Sequence, residues 1–242
     1  MYQSRAGGWG YEGSFQIAAA ILALQHAKEA GVTLDEKKLA LAVDHLASMR
    51  VEATEGSSQR DTSGSNPSKR EPRAPEGSGS ADRSAIGYGY SRTGDPLARA
   101  SKANALNDSV ARLVECEWAL VKAGKVTPQT FERTFESFMK HREFMWKTRR
   151  LAERGKFPTP IGGGTPYMWF AFFGSMYGTL GLEGVPVGRR QAWGEALRED
   201  LMAVVDVDGA WTDVNIPNSP GSKMVSTAMA LLSLKNIERA VK

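Results

Sequence analysis

An apolar octet returns four times along this sequence, always at helical spacing, and that recurrence leaves few architectures open. Ile17-Ala18-Ala19-Ala20-Ile21-Leu22-Ala23-Leu24 aligns with Leu113 to Leu120, with Ser175 to Leu182 and with Thr227 to Leu234, each copy closing on a small residue and a leucine. A glycine-aromatic turn precedes each copy: Gly7-Gly8-Trp9-Gly10-Tyr11, Gly87-Tyr88-Gly89-Tyr90, Gly162-Gly163-Gly164 with Tyr167, and Gly209-Ala210-Trp211. Helix hairpins repeating at roughly 50 residues cannot bury an apolar helix alone and do so only against their neighbours. The apolar helices are therefore expected to form an inner layer and the amphipathic ones an outer layer, as an open solenoid or a closed α/α ring.

The individual segments follow the same logic. Ser14 to Ala30 is almost uncharged for three turns, which predicts a helix buried on most of its faces. Thr33-Leu34-Asp35-Glu36 reads as a capping box opening an amphipathic helix to about Arg50. Asn107 to Gly124 is followed by Thr127-Pro128, a hydroxyl cap with proline at the first helical position, and a helix to about Arg150. Tyr167 to Gly181 is paired with Arg189 to Val205, and Ser222 to Ala240 opens a fourth unit whose partner helix the chain does not supply. Strand-like alternation is nearly absent, so the fold class is all-α, at least half helix.

With 242 residues, 41% of them hydrophobic, the chain can bury one sizeable core, and residues 1–242 are expected to make a single domain. Between the first two repeats, the stretch from Glu55 to Asp82 is rich in Gly, Ser and Pro and almost free of large apolar residues, and it reads as a flexible surface insertion. One cysteine and three histidines argue against a disulfide framework and a multi-cysteine zinc cluster, and no cofactor is expected. The longest uncharged stretch, Phe157 to Leu182, is broken by Pro158, Pro160, Gly162, Gly163, Gly164 and Pro166. Its helical part, about Tyr167 to Gly181, is roughly 22 Å long against a hydrocarbon core of ~30 Å, so no transmembrane segment is expected. No signal peptide is read at Ile17 to Leu24, because glycines interrupt the approach to it, and the expected location is cytoplasmic.

Gln3-Ser4-Arg5-Ala6-Gly7-Gly8-Trp9 fits Q-x-x-x-G-x-W, the core of the QW motif of squalene and oxidosqualene cyclases, and the chain resembles the terpenoid cyclase and protein prenyltransferase superfamily. The later copies of the motif are degraded, with Arg83 ahead of Gly87-Tyr88-Gly89 and Val205 ahead of Gly209-Ala210-Trp211. The resemblance implies an α/α toroid with a central cavity where the inner helices begin, and an isoprenoid or related apolar ligand within it. Two departures stand out. The D-x-D-D acid motif of class II cyclases has only Asp206-Val207-Asp208-Gly209 as its counterpart, and Cys116 with His26, His45 and His141 does not reproduce the zinc ligands of the prenyltransferases. A closed ring of that family also uses more helices than this sequence contains, so the chain is expected to be part of a ring or to assemble as a homo-oligomer.

Candidate site residues are few. Asp206 and Asp208, with Asp213 near them, would by the resemblance be the acid, since close carboxylates push one another's protons on; Asp-x-Asp-Gly is equally ordinary turn chemistry. Tyr11, Tyr88, Tyr90, Tyr167, Trp169 and Trp211, with Trp9, would ring one end of the inner helices, binding an apolar ligand or packing repeat against repeat. Cys116 on its apolar helix reads as a small core residue. The basic run Lys140, Arg142, Lys147, Arg149, Arg150, Arg154 and Lys156 reads as a solvated outer face, and with a net charge of only +4 no nucleic-acid partner is expected. Two other classes stand beside the isoprenoid-binding toroid: a non-catalytic helical-repeat scaffold for a protein partner, and an α/α-barrel carbohydrate enzyme.

Overall fold

The computed structural model describes residues 3–4, 7–9, 13–52, 86–88, 106–143, 145–146, 171–212 and 220–242. These residues form an all-α structure, about 75% helical. The helices are α1 (Ser14–Glu29), α2 (Glu36–Ser48), α3 (Leu106–Lys122), α4 (Pro128–His141), α5 (Ala171–Gly181), α6 (Val187–Met202) and α7 (Pro220–Val241). Two three-residue strands, β1 (Arg50–Glu52) and β2 (Ile86–Tyr88), pair antiparallel, with Arg50 opposite Tyr88 and Glu52 opposite Ile86.

The helices sort into two layers. In chain order, α1 packs on α3, α3 on α5 and α5 on α7, a single row of the apolar helices. Behind it, α2 packs on α1 and α3, α4 mainly on α3, and α6 mainly on α7. One hydrophobic cluster takes side chains from every helix, including Ile17, Leu46, Leu113, Phe135, Phe172, Leu201 and Ala230. The inner/outer alternation expected from the sequence is thus the observed arrangement of the described helices.

Local chemistry explains the elements. Phe131, Phe135 and Phe138 recur at i, i+4 and i+7 on α4, all fully buried, and Thr127 caps that helix by accepting the Thr130 amide at 3.2 Å. Two inner helices end alike. Gly31 and Gly124 take positive φ (89° and 72°) and the residues after them, Val32 and Lys125, donate back to Ala27 and Leu120 across the last turn. Gly174, Gly178 and Gly181 form a ridge on α5 that lets it close on its neighbours. A Cβ at these positions would come within 2.9 Å of the Ala111 backbone, 2.7 Å of the Phe138 ring and 2.5 Å of a Val114 methyl.

Four expectations are corrected. Helix α2 is capped by Asp35, whose carboxylate accepts the Lys37 and Lys38 amides at 3.1 and 3.2 Å, rather than by a Thr33–Glu36 box; aspartate one residue before the helix reaches those amides directly. It ends at Ser48 because Arg50–Glu52 leave for the ladder with β2. Helix α4 ends at His141, with Arg142 at its C-cap; residues 143, 145 and 146 are helical again, and 147–150 lie outside the described residues. Helix α1 is buried on one face only, through Ser14, Ile17, Ala18, Ile21 and Leu22, while Ala23 is exposed. The expected insertion 55–82 lies outside the described residues, as do Tyr11, Tyr90, Asp213, most of the basic run and the residues 157–170. Among the described residues no helix is long and apolar enough to cross a membrane.

Candidate functional site

Two of the glycine-aromatic turns, at Gly7–Trp9 and Gly209–Trp211, act as joints between layers among the described residues. Gln3 Nε2 donates to the carbonyls of Gly7 and of Lys38 in α2, both at 2.9 Å, and Ser4 and Gly8 close the turn on themselves. Gly7 has φ of 99° and lies so close to α2 that a Cβ there would meet the Leu41 carbonyl oxygen at 2.4 Å. Glutamine and glycine at this spacing therefore tie the chain ahead of α1 to the outer helix α2, with Trp9 packed on the core.

The second described joint carries three predicted site residues. Trp211 is buried, its indole N–H donates to the Leu201 carbonyl of α6 at 2.8 Å, and its amide donates to Thr227 Oγ1 of α7 at 3.0 Å. Asp208 accepts the Ala210 amide at 3.2 Å and pairs with Lys223 at 2.6 Å. Asp206 accepts from the Thr212 hydroxyl at 2.5 Å and lies 3.5 Å from Lys223. The Lys223 ammonium beside it and the turn amide hold the Asp208 carboxyl below its usual range, so it is ionised at neutral pH.

Tyr88 lies elsewhere, fully buried in a polar cluster around α3 that the sequence pattern did not disclose. Its hydroxyl donates to Glu117 Oε2 in a short hydrogen bond, and its carbonyl accepts from Arg112 Nη2 at 2.8 Å. Glu117 also takes both arms of the Arg50 guanidinium, at 3.0 and 2.9 Å, and the Thr134 hydroxyl at 3.3 Å. Every oxygen of this fully buried carboxylate is met, as a buried charge requires. Burial, with Glu117 beside it, pushes the Tyr88 hydroxyl well above its ordinary value.

Two residues away, Glu115 is equally buried and has the opposite character. Neither of its carboxyl oxygens meets a well-formed hydrogen bond. Removal from water raises its carboxyl well above the usual carboxylate range, outweighing the Tyr177 hydroxyl and the Arg112 guanidinium, which favour the charged form. Its side of α3 follows from its neighbours. Ala111, Val114 and Trp118 face α5 and the turn after it, and Glu117 faces β2 and α4. Glu115 shares its stripe with Lys122, seven residues on, whose Nζ reaches Glu29 of α1 at 3.1 Å.

Aromatic rings gather at the same stripe. Although α3 lies between α1 and α5, the rings of Phe15 and Phe173 meet edge to face at 5.9 Å, and Phe173 tilts onto Tyr177 at 4.7 Å. Burial, with Glu115 beside it, pushes the Tyr177 hydroxyl up. Cys116 is fully buried, burial raises its thiol far above the ordinary value, and the nearby Ser14 hydroxyl is its polar neighbour. Among the described residues no three His, Cys, Asp or Glu side chains are grouped to hold a metal ion.

The structure brings Asp206, Asp208 and Trp211 together and places Tyr88 apart from them. Tyr11, Tyr90, Tyr167 and Trp169 lie outside the described residues. Glu115, Phe15, Phe173 and Tyr177 were not singled out from the sequence; an acid inside the apolar octet Leu113 to Leu120 was the available signal. No protein-family model, no curated protein and no solved structure matches this chain.

Proposed function

We propose that this chain is an arc of an α/α toroid of the terpenoid cyclase and protein prenyltransferase kind, and that its inner helices bind an isoprenoid or another apolar ligand. The observation that carries this reading is the row α1–α3–α5–α7, with Phe15 meeting Phe173, Phe173 meeting Tyr177, and Tyr177 beside the buried Glu115 of α3. Such a face offers hydrocarbon contact, π surface for a cation and one polar group, the composition of a site for a largely apolar molecule. An acid role for Asp206 and Asp208, which the resemblance implies, would require Lys223 to release them. Native mass spectrometry after incubation with a lipid extract, and separately with oligosaccharides, tests the reading. An isoprenoid adduct lost in Phe15→Ala/Phe173→Ala and kept on charge reversal at Arg149 and Arg150 is the expected result; an oligosaccharide adduct in its place would move the assignment to the carbohydrate enzymes.

A second reading, a non-catalytic scaffold, draws on α7. Its face opposite the buried stripe Ser226, Ala230, Ser233 and Ile237 exposes Met224 (76%), Val225 (54%), Leu231 (54%) and Leu232 (48%), an apolar surface of the kind that binds a further helix. Loss of a protein partner, with ligand binding kept, in Met224→Glu/Leu231→Glu would favour this reading.

A further inference from the structure

We propose that α7 carries a self-pairing surface whose occupant is a second copy of this chain, laid antiparallel across a two-fold axis at Ala228. The proposal rests on the scaffold reading of α7 above and names its partner.

Between Lys223 and Lys235, α7 has no charged residue, so it is uncharged around its whole circumference, the pattern of a helix covered on every side. Helices α5 and α6 pack on it and the stripe Ser226, Ala230, Ser233 and Ile237 is buried, while Met224, Val225, Ala228, Leu231 and Leu232 are exposed. The exposed set is symmetric about Ala228, with large side chains three and four residues before it and three and four after it. Met224 and Leu231 fall on one side of Ala228 and Val225 and Leu232 on the other, since residues seven apart share a side of a helix. A two-fold antiparallel crossing sets Met224 against Leu231 of the partner subunit and Val225 against Leu232 of the partner subunit. Small alanines then stand at the crossing, where the helices come closest. This is the self-complementarity that an isologous interface requires.

Charge follows the same symmetry. Lys235, exposed on this face, lies about 10 Å along the helix beyond Ala228, and Lys223 lies about 7.5 Å before it. Two carboxylates share the Lys223 ammonium, Asp208 at 2.6 Å and Asp206 at 3.5 Å, which leaves that turn negative. The antiparallel crossing brings Lys235 of each copy beside this turn of the other and supplies the second cation. A parallel pair would set lysine against lysine and leave both turns uncompensated.

Sedimentation velocity of the full chain should show a monomer–dimer equilibrium between about 1 and 100 µM. Met224→Glu/Leu231→Glu should weaken it at least about hundredfold with the helical circular dichroism kept, and Lys235→Glu about threefold or more at low salt, with less effect at high salt. Ala228→Cys, which meets itself on the axis, should give a cross-linked dimer on mild oxidation, and Gly188→Cys on the open face of α6 should not, a readout that needs no glutamate variant to fold. A monomer over the whole range, a dimer kept in Met224→Glu/Leu231→Glu, or Gly188→Cys linking as readily as Ala228→Cys would overturn the self-pairing. A monomer whose Met224→Glu/Leu231→Glu form loses another protein partner would leave the scaffold reading standing, and a monomer from which that change removes no partner would overturn both.

Discussion

Replacing Arg50 with methionine should destabilise the fold by about 3–5 kcal/mol, the cost of leaving a buried charge without its partner. Arg50 stands at the start of β1, and its side chain is 15% exposed, while that of Glu117 is wholly buried. The substitution removes two charge-assisted hydrogen bonds, at 2.9 and 3.0 Å, and leaves the Glu117 carboxylate with only the neutral hydroxyls of Tyr88 and Thr134. Methionine keeps the apolar stem, so the loss reports charge rather than volume. Adding Glu117→Gln to Arg50→Met removes the stranded charge while keeping an oxygen acceptor for one of the two hydroxyls, which meet different oxygens of the carboxylate. The double variant should recover roughly 2 kcal/mol or more. Urea titrations followed by circular dichroism measure both steps, and the single variant's thermal midpoint should fall by at least ~6 °C. A loss below about 1 kcal/mol, or a double variant no more stable than the single, would refute the claim that this pair is a buried, fully engaged charge.

Two further outcomes follow from the packing and the titration. Gly178→Ala should destabilise the protein by about 1–3 kcal/mol despite alanine's better helix propensity, because the new methyl would sit 2.7 Å from the Phe138 ring, itself held against Phe135; Gly188→Ala on the open face of α6, where nothing lies within 4 Å, should be neutral or stabilising by up to ~1 kcal/mol, and equal effects in urea titrations would contradict the ridge. Glu115 binds its proton more tightly folded than unfolded, so the unfolded chain releases a proton first and stability contributed by this group falls as pH rises above about 4.5, by up to ~1.4 kcal/mol per unit, until the folded carboxyl ionises. Glu115→Gln lacks this term, and its stability relative to the unaltered protein should therefore grow between pH 4.5 and pH 8; a difference that stays flat or shrinks would show that Glu115 ionises normally.

Helix positions and the two-layer order were legible from residue order because they depend on local rules. The 3.6-residue spacing of Phe131, Phe135 and Phe138, the Thr127-Pro128 start and the terminal Gly31 and Gly124 act within a turn or two of themselves, and four similar octets can be buried together only side by side. The partners of the acids were not legible, because they come from elsewhere in the chain. Glu115 and Glu117 are two residues apart on one helix and thus about 200° apart around its axis. That rotation turns Glu117 toward Arg50 and Tyr88, 67 and 29 residues away in sequence, and Glu115 toward Tyr177 of α5. The pairing of β1 with β2, which brings Arg50 opposite Tyr88, depends on the same long-range closure. Periodicity tells which side of a helix is apolar, while the charge state of an acid on that side depends on what distant segments place against it, and only the folded chain decides that.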